Sequence, residues 1–473
     1  MVFSSTVFLF LFLPIVLLVY YIINPKFRNV FLLISSIFFY GWGEPKFIVI
    51  MFISIMVNYF FGLLVDIYRM NKKVSYFLIG LMVFYNVSVF FIYKYLNFTI
   101  ENLNNLFGNR ITQTNILLPI GISFFTFQAM SYVIDVYRGN GKVQKNPLNV
   151  ALYIMFFPQL IAGPIVRYET ISDALNNRKE NFDDLAEGIK RFIIGLGKKC
   201  IISNSVAIIA DQAFSYSDLS QVSVLMAWLG AISYSLQIFF DFSGYSDMAI
   251  GLGKMFGFKF EENFNYPYIS NTISEFWRRW HISLGTWFRD YVYFPLGGSR
   301  VKKNRLLLNL FIVWLLTGIW HGASWTFVVW GLFYFILLTF EKIVEINRIL
   351  NNKFFSIMYR IFTLLCILIG WIIFRSNSLG YSVNYIRCLF GLNNNPLSNN
   401  ISMFLVIDNF IFLLIAIILC TPLTIKLKKI INTYVITNKL MSFVQPIYYI
   451  VLFIISISYI LNSSYNPFIY FNF

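Results

Sequence analysis

Charge is what this sequence has least of. Only 12% of its 473 residues are Asp, Glu, Lys or Arg, against roughly a quarter in an ordinary soluble domain. So sparse a set of charges excludes a water-soluble globular fold. The short alternating segments of about 10 residues that build a transmembrane barrel are missing too. Cysteine is scarce, with four residues scattered at Cys200, Cys366, Cys388 and Cys420. There is no CxxC and no Cys/His ligand spacing, so neither a zinc site nor a disulfide framework is supported. No GxGxxG turn, Walker A loop or GxSxG elbow occurs, which leaves no nucleotide-binding or hydrolase motif. Histidine is rarest, at two residues.

What remains is apolar. Hydrophobic residues make up 58% of the chain and aromatic residues 20%, and the mean hydropathy is +0.68. Repeated apolar runs near 20 residues match the ~30 Å hydrocarbon core of a bilayer. The fold class is therefore an all-α polytopic integral membrane protein. The net charge of +16 does not point to nucleic acid, because the basic residues gather in short loops between apolar runs, as the positive-inside rule requires. Placing 26–28, 69–73 and 138–145 in the cytoplasm puts the N-terminus outside, together with the Asn-rich stretch Asn97–Asn115 and the C-terminus. The first apolar run, Val7–Ile23, lacks a basic leader and a cleavage site and reads as a retained helix.

About 10–12 membrane elements are expected, forming one membrane-embedded domain over 1–473 with a catalytic core at about 222–340. Several elements are irregular. Pro158, Gly163 and Pro164 interrupt the run Val150–Val166, and broken backbone at membrane depth survives only inside protein or along a wet cavity. The charged segment Asp173–Lys199 reads as a cytoplasmic amphipathic stretch. Leu306–Phe340 is too long for one crossing and has basic residues at both ends. A break at Thr317-Gly318 or Gly322 then leaves a first arm of ~14 residues, about 21 Å, with His321 at the apex.

The chemistry concentrates in Ser270–Phe340. Both histidines lie there, His281 in EFWRRWHISLGTWFRDY and His321 in GIWHGASWTFVVWG, with seven of the ten tryptophans between Trp277 and Trp330. Imidazole is the commonest general base. The competing account is that tryptophans mark a membrane interface and the histidines are structural. On a helical wheel Phe276, Trp280, Leu284 and Trp287 share one face, and Arg278, Arg279, Thr286 and Arg289 the opposite one. That pattern describes a helix along the cytoplasmic interface, with His281 at the edge of its apolar arc. Arg278, Arg279 and Arg289 are candidates for the phosphates of a donor or for anionic headgroups. In IFFDFSGYSDMAIGLG, Asp241 and Asp247 are costly intramembrane carboxylates, read either as polarising a site or as structural hydrogen-bond partners.

At these residues the chain resembles the membrane-bound O-acyltransferases, and within them the membrane subunits of bacterial alginate and peptidoglycan O-acetylation systems. The likeness runs through SSIFFYGWGEP, MFFPQLIAGPIVR, DFSGYSDMAIGLGKMFGF, FWRRWHISLGTWFRDYVYFPLGGSR, GIWHGASWTFVVWG and the terminal NPFIYFNF. It implies broken helices around a central tunnel in the bacterial cytoplasmic membrane. It also implies His321 and His281 as catalytic residues, no metal and no resident cofactor. Acetyl-CoA is the implied cytoplasmic donor, with an extracytoplasmic acetyltransferase- or esterase-like partner and a glycan acceptor. Two alternatives stay open: a D-alanyl transferase of teichoic acid modification, and a transporter using His321 with Asp241 and Asp247 as a proton relay. The stations of the two histidines are expected to differ, His321 deep at a helix break and His281 near the cytoplasmic face.

Overall fold

In the computed structural model, residues 1–108, 110–432, 435–462 and Ile469 are described, and every regular element among them is helical. Among the described residues, eight helices are long and apolar enough to cross a membrane, and Phe8–Ile22 forms a shorter apolar one. A multi-pass helical membrane protein is what the hydropathy required. Contacts divide the chain into two compact units, Met1–Phe192 with Tyr245–Glu261, and Ile193–Gly244 with Glu262–Phe473. The terminal NPFIYFNF, apart from Ile469, lies outside the described residues.

In the first unit, Ile48–Ile67 and Lys72–Phe90 are fastened by a buried amide pair. Asn58 Nδ2 donates to Asn86 Oδ1 at 3.1 Å, and Asn86 Nδ2 donates back at 2.9 Å. The Asn-rich stretch expected as a loop continues as helix to Phe107, in one 36-residue run from Lys72. Its asparagines work within the helix and across to the returning chain. Asn102 donates to the Phe98 carbonyl one turn back, and Asn97 and Asn104 bond Thr114 and Ile111. The interrupted segment behaves as its prolines and glycine demand. Helix Pro147–Met155 stops at Phe156, one turn follows at Phe157–Leu160, and all of 150–166 is buried.

Asp173–Lys199 is amphipathic as its charges suggested, but from Phe182 onward it is continuous with the next apolar run, in one 33-residue helical run ending at Phe214. The hydrophobic tail Ile201–Ala210 is too short to cross alone, and extension through Gly195 supplies the missing length.

In the second unit the long run 306–340 is two helices, Lys303–His321 and Trp325–Val344. The break falls at Gly322–Ser324; Thr317 and Gly318 stay helical. The first arm begins at Lys303, so it has 19 residues and a length of about 28 Å rather than 21 Å. Glycines set how closely the two arms pack. A Cβ on Gly318 would stand 2.5 Å from the Phe327 carbonyl oxygen, and one on Gly331 2.4 Å from that of Trp314. Backbone therefore lies against backbone at the crossing, the close approach that small residues allow between membrane helices.

Candidate active site

The stretch 273–288 is not one interfacial helix. It is two seven-residue helices, Ile273–Arg279 and Ile282–Phe288, broken where His281 takes a left-handed conformation at φ 44°. The wheel assigned the faces correctly: Phe276, Trp280, Leu284 and Trp287 are buried, and Arg278 and Arg289 are exposed. His281 does not lie at a surface, being only 2% exposed.

Asn263 organises this break. Its backbone oxygen accepts the Ile282 N–H at 2.9 Å, and its side-chain Oδ1 accepts the Ser283 N–H at 3.2 Å and the Ser283 hydroxyl at 2.9 Å. A backbone N–H can only donate, so the side-chain atom facing it is the amide oxygen. His281 Nδ1 lies 3.1 Å from that same oxygen and must carry the proton. Nε2 then holds the lone pair, the tautomer a base or acceptor requires. Burial also pushes the His281 pKa down to about 3, because desolvation disfavours the imidazolium.

Glu341, from the end of Trp325–Val344, holds the start of the arginine helix Ile273–Arg279. Its buried carboxylate accepts the Ile273 and Ser274 N–H groups at 2.6 and 2.8 Å, and the Tyr359 hydroxyl at 3.1 Å. An anion here satisfies otherwise orphaned N–H groups and complements the helix dipole. Neither Asn263 nor Glu341 stood out in the sequence. Glu341 had a signal, as the first carboxylate after a 35-residue apolar run; Asn263 had none.

His321 is the last residue of its helix and is 5% exposed. Three aromatic rings enclose it edge-on: Trp320, Trp330 and Phe374, with centroids at 4.9, 5.0 and 5.1 Å. Trp320 also packs against His281 at 6.1 Å, so one indole bridges the two imidazoles. The two histidines thus hold separate positions on either side of that indole, and both are buried.

A cavity of about 370 Å³ opens beside His281. Its walls include Trp277, Arg278, His281 and Arg289 on one side, and Trp314 and Thr317 of the histidine helix on the other. Two of the three candidate arginines therefore reach it. The third, Arg279, pairs with Glu275 at 2.9 Å and donates to the Asn265 carbonyl.

The carboxylates have other partners. Asp241 is buried against Lys199 at 2.6 Å and accepts the Ile469 N–H at 2.8 Å. Asp247, in the first unit, pairs with Arg191 at 2.9 Å. The Asp241–Lys199 pair is buried, as intramembrane charge requires, whereas the Asp247–Arg191 pair is partly exposed. Asp241 still borders the site through its neighbour Phe242, whose ring stands 4.6 Å from His281.

Residues 143–383 match the model of the membrane-bound O-acyltransferase family. A Pseudomonas syringae protein named "Probable alginate O-acetylase" is 44% identical over 84% of this chain and 77% of its own length. The peptidoglycan O-acetyltransferase of Helicobacter pylori is 34% identical over 100% and 98%. The teichoic acid D-alanyltransferase of Bacillus subtilis is 34% identical over 55% and 69%. With a family match over half the chain and relatives this similar along most of it, the protein belongs to the membrane-bound O-acyltransferase family.

Proposed function

We propose that this O-acyltransferase moves an acetyl group from a cytoplasmic thioester, acetyl-CoA, to a hydroxyl presented on the far side of the bacterial cytoplasmic membrane. The acceptor is a cell-envelope or exported polysaccharide, or an extracytoplasmic partner protein that serves it. Both chain termini lie on that outer side. The reading is carried by the cavity, which combines exposed Arg278 and Arg289 with buried His281 and one face of the helix that ends in His321.

Guanidinium groups suit the phosphates of a CoA-type donor, and the apolar walls suit its thioester end. His321 acts as general base and takes the proton of the acceptor hydroxyl. The hydroxyl oxygen bonds to the acyl carbon, the carbon–sulfur bond breaks, and the thiolate leaves and takes up a proton. His281, held by Asn263, assists on the donor side. The four cysteines are all buried, which favours direct transfer over an acyl-cysteine intermediate. The carboxylates that a transporter's proton relay would use are engaged with Lys199 and Arg191.

The test offers the purified protein labelled acetyl-CoA or a D-alanyl carrier thioester, and follows thioester loss and label transfer. Acetyl transfer by the wild type, lowered 10²- to 10⁴-fold in His321→Ala as expected for a lost general base, supports the reading. Full transfer by that variant overturns the role of His321. Use of the D-alanyl carrier alone moves the protein to the D-alanyl reading.

A further inference from the structure

The three rings around His321 come from two sources. Trp320 and Trp330 belong to the hairpin that carries it, whose arms are fixed by the crossing at Gly318 and Gly331. Phe374 comes from the last turn of another helix, Lys353–Arg375, and stands 5.1 Å from the imidazole and 4.9 Å from Phe327. That helix has 23 residues, about 34 Å, and the basic residues Lys342, Arg348 and Lys353 lie before it or at its start. Its far end, with Phe374, therefore points to the outer side in the topology proposed above.

Arg375 ties that last turn down. Its Nη2 pairs with Asp211, near the end of the run Phe182–Phe214, and its Nη1 donates at 3.3 Å to Gln237 Oε1, on helix Val224–Met255. The guanidinium also lies over Phe214 and Tyr234, 4.8 and 4.7 Å from the ring centroids. Three helices thus meet at one guanidinium. Exposure changes sharply across the joint: Phe374 and Gln237 are each 2% exposed, whereas the Asp211 side chain is 39% exposed. An ion pair open to water on one side is weak, so it biases the helix end towards one position without locking it. Helix ends are also where local opening costs least.

Building on the acyl-transfer reading, we propose that Phe374 is a gate on the acceptor side of His321, and that the Arg375–Asp211 pair is its latch. Shut, the ring keeps water from the base. A hydroxyl-rich acceptor opens it by bonding the same carboxylate and guanidinium. Water is the competing nucleophile that such a gate excludes. With the gate open and no acceptor, the water oxygen bonds to the acyl carbon while His321 takes one of its protons. The carbon–sulfur bond breaks and the thiolate takes up that proton, giving free acid and thiol. Asp211 and Arg375 are positioning residues that act through Phe374.

The experiment follows thiol release from labelled acetyl-CoA by the purified full-length protein with no acceptor present, alongside binding of the label. Wild type should bind the donor and release thiol slowly. Asp211→Asn, a change at a partly exposed carboxylate, should raise the release about 10-fold or more by admitting water, with donor KM within about twofold of wild type. Phe374→Leu should do the same, and adding His321→Ala to either should abolish the gain. A joint that only staples helices would give the opposite sign: a lower melting temperature with release unchanged or reduced. Release at or below the wild-type rate in both folded variants therefore overturns the gate. A gain that survives His321→Ala overturns it too, because the water then reacts elsewhere. A wild type that binds no acetyl-CoA overturns the donor reading and the gate together.

Discussion

Two buried breaks among the described helices, at 156–166 and at Trp280–His281, differ in that only the second lines the cavity. In the first unit, 156–166 closes on itself. The Tyr153 hydroxyl donates to the Val166 carbonyl at 2.8 Å, the Phe157 N–H donates to Ser36 Oγ at 3.1 Å, and Gln159 Nε2 donates to the Tyr153 carbonyl at 2.5 Å. The stretch holds no titratable side chain beyond Arg167 at its edge. The break at Trp280–His281 is bonded just as fully through Asn263. It differs in carrying an imidazole whose lone pair is fixed by that bonding and whose ring faces a cavity. Broken helix buried in protein is therefore a packing problem first, and becomes chemistry only where a base and an opening coincide.

That contrast can be broken by experiment. The largest effect among positioning residues should come from Asn263→Ala, which releases His281 Nδ1 and with it the tautomer and tilt of the ring. A drop of about 10²-fold in kcat is expected, the scale of a 1 Å misplacement, with thioester binding nearly intact. Asn263→Asp sharpens the same point through pH. Burial keeps wild-type His281 neutral between pH 5 and 8, so it adds no limb to the rate there. A carboxylate on Nδ1–H favours the imidazolium and raises the His281 pKa, so the variant should lose activity as pH falls through this range. A flat profile in the variant would show that the His281 lone pair is not used.

Glu341→Ala should have a middling effect. It strips a buried helix start of its acceptor, with an expected cost of about 2 kcal/mol in detergent unfolding. It should also raise KM for the donor several-fold, because Trp277 and Arg278 ride on that helix. A stability loss with no change in KM would mean that Glu341 only holds the fold. The smallest effect belongs to the closed break. Tyr153→Phe should cost about 1–2 kcal/mol, read as a lower melting temperature, and leave kcat/KM of the folded fraction unchanged.

Much of this arrangement was legible in the residues. The wheel separated Phe276, Trp280, Leu284 and Trp287 from the arginines because burial follows apolar area whether a helix lies on a bilayer or inside protein. It did not show the interruption at His281, because a histidine gives no warning of a positive φ. Gly322 marked the hairpin break by being a glycine, whereas Gly318, equally suggestive, serves close packing. Asp241 and Asp247 were recognised as expensive, but their partners were not. Lys199 and Arg191 sit in a stretch whose charges read as a solvated face until the fold turns them inward. Asn97–Asn115 was misread because asparagine favours loops on average, yet here its amides bind carbonyls and N–H groups of the helix and the returning chain. Asn263 was invisible because its role lies in geometry eighteen residues from His281.

The crossing of Gly318 over Gly331 has a mechanical consequence. Where two main chains touch, no side chain is left to repack, so the pair of arms moves as one stiff plate with His321 mounted on it. Compliance has to come from the opposite jaw, the two short helices 273–279 and 282–288, which hydrogen bonds hold at Glu341 and Asn263. The anvil is fixed and the clamp is adjustable, so adaptation to a donor falls to the part of the site that polar contacts hold.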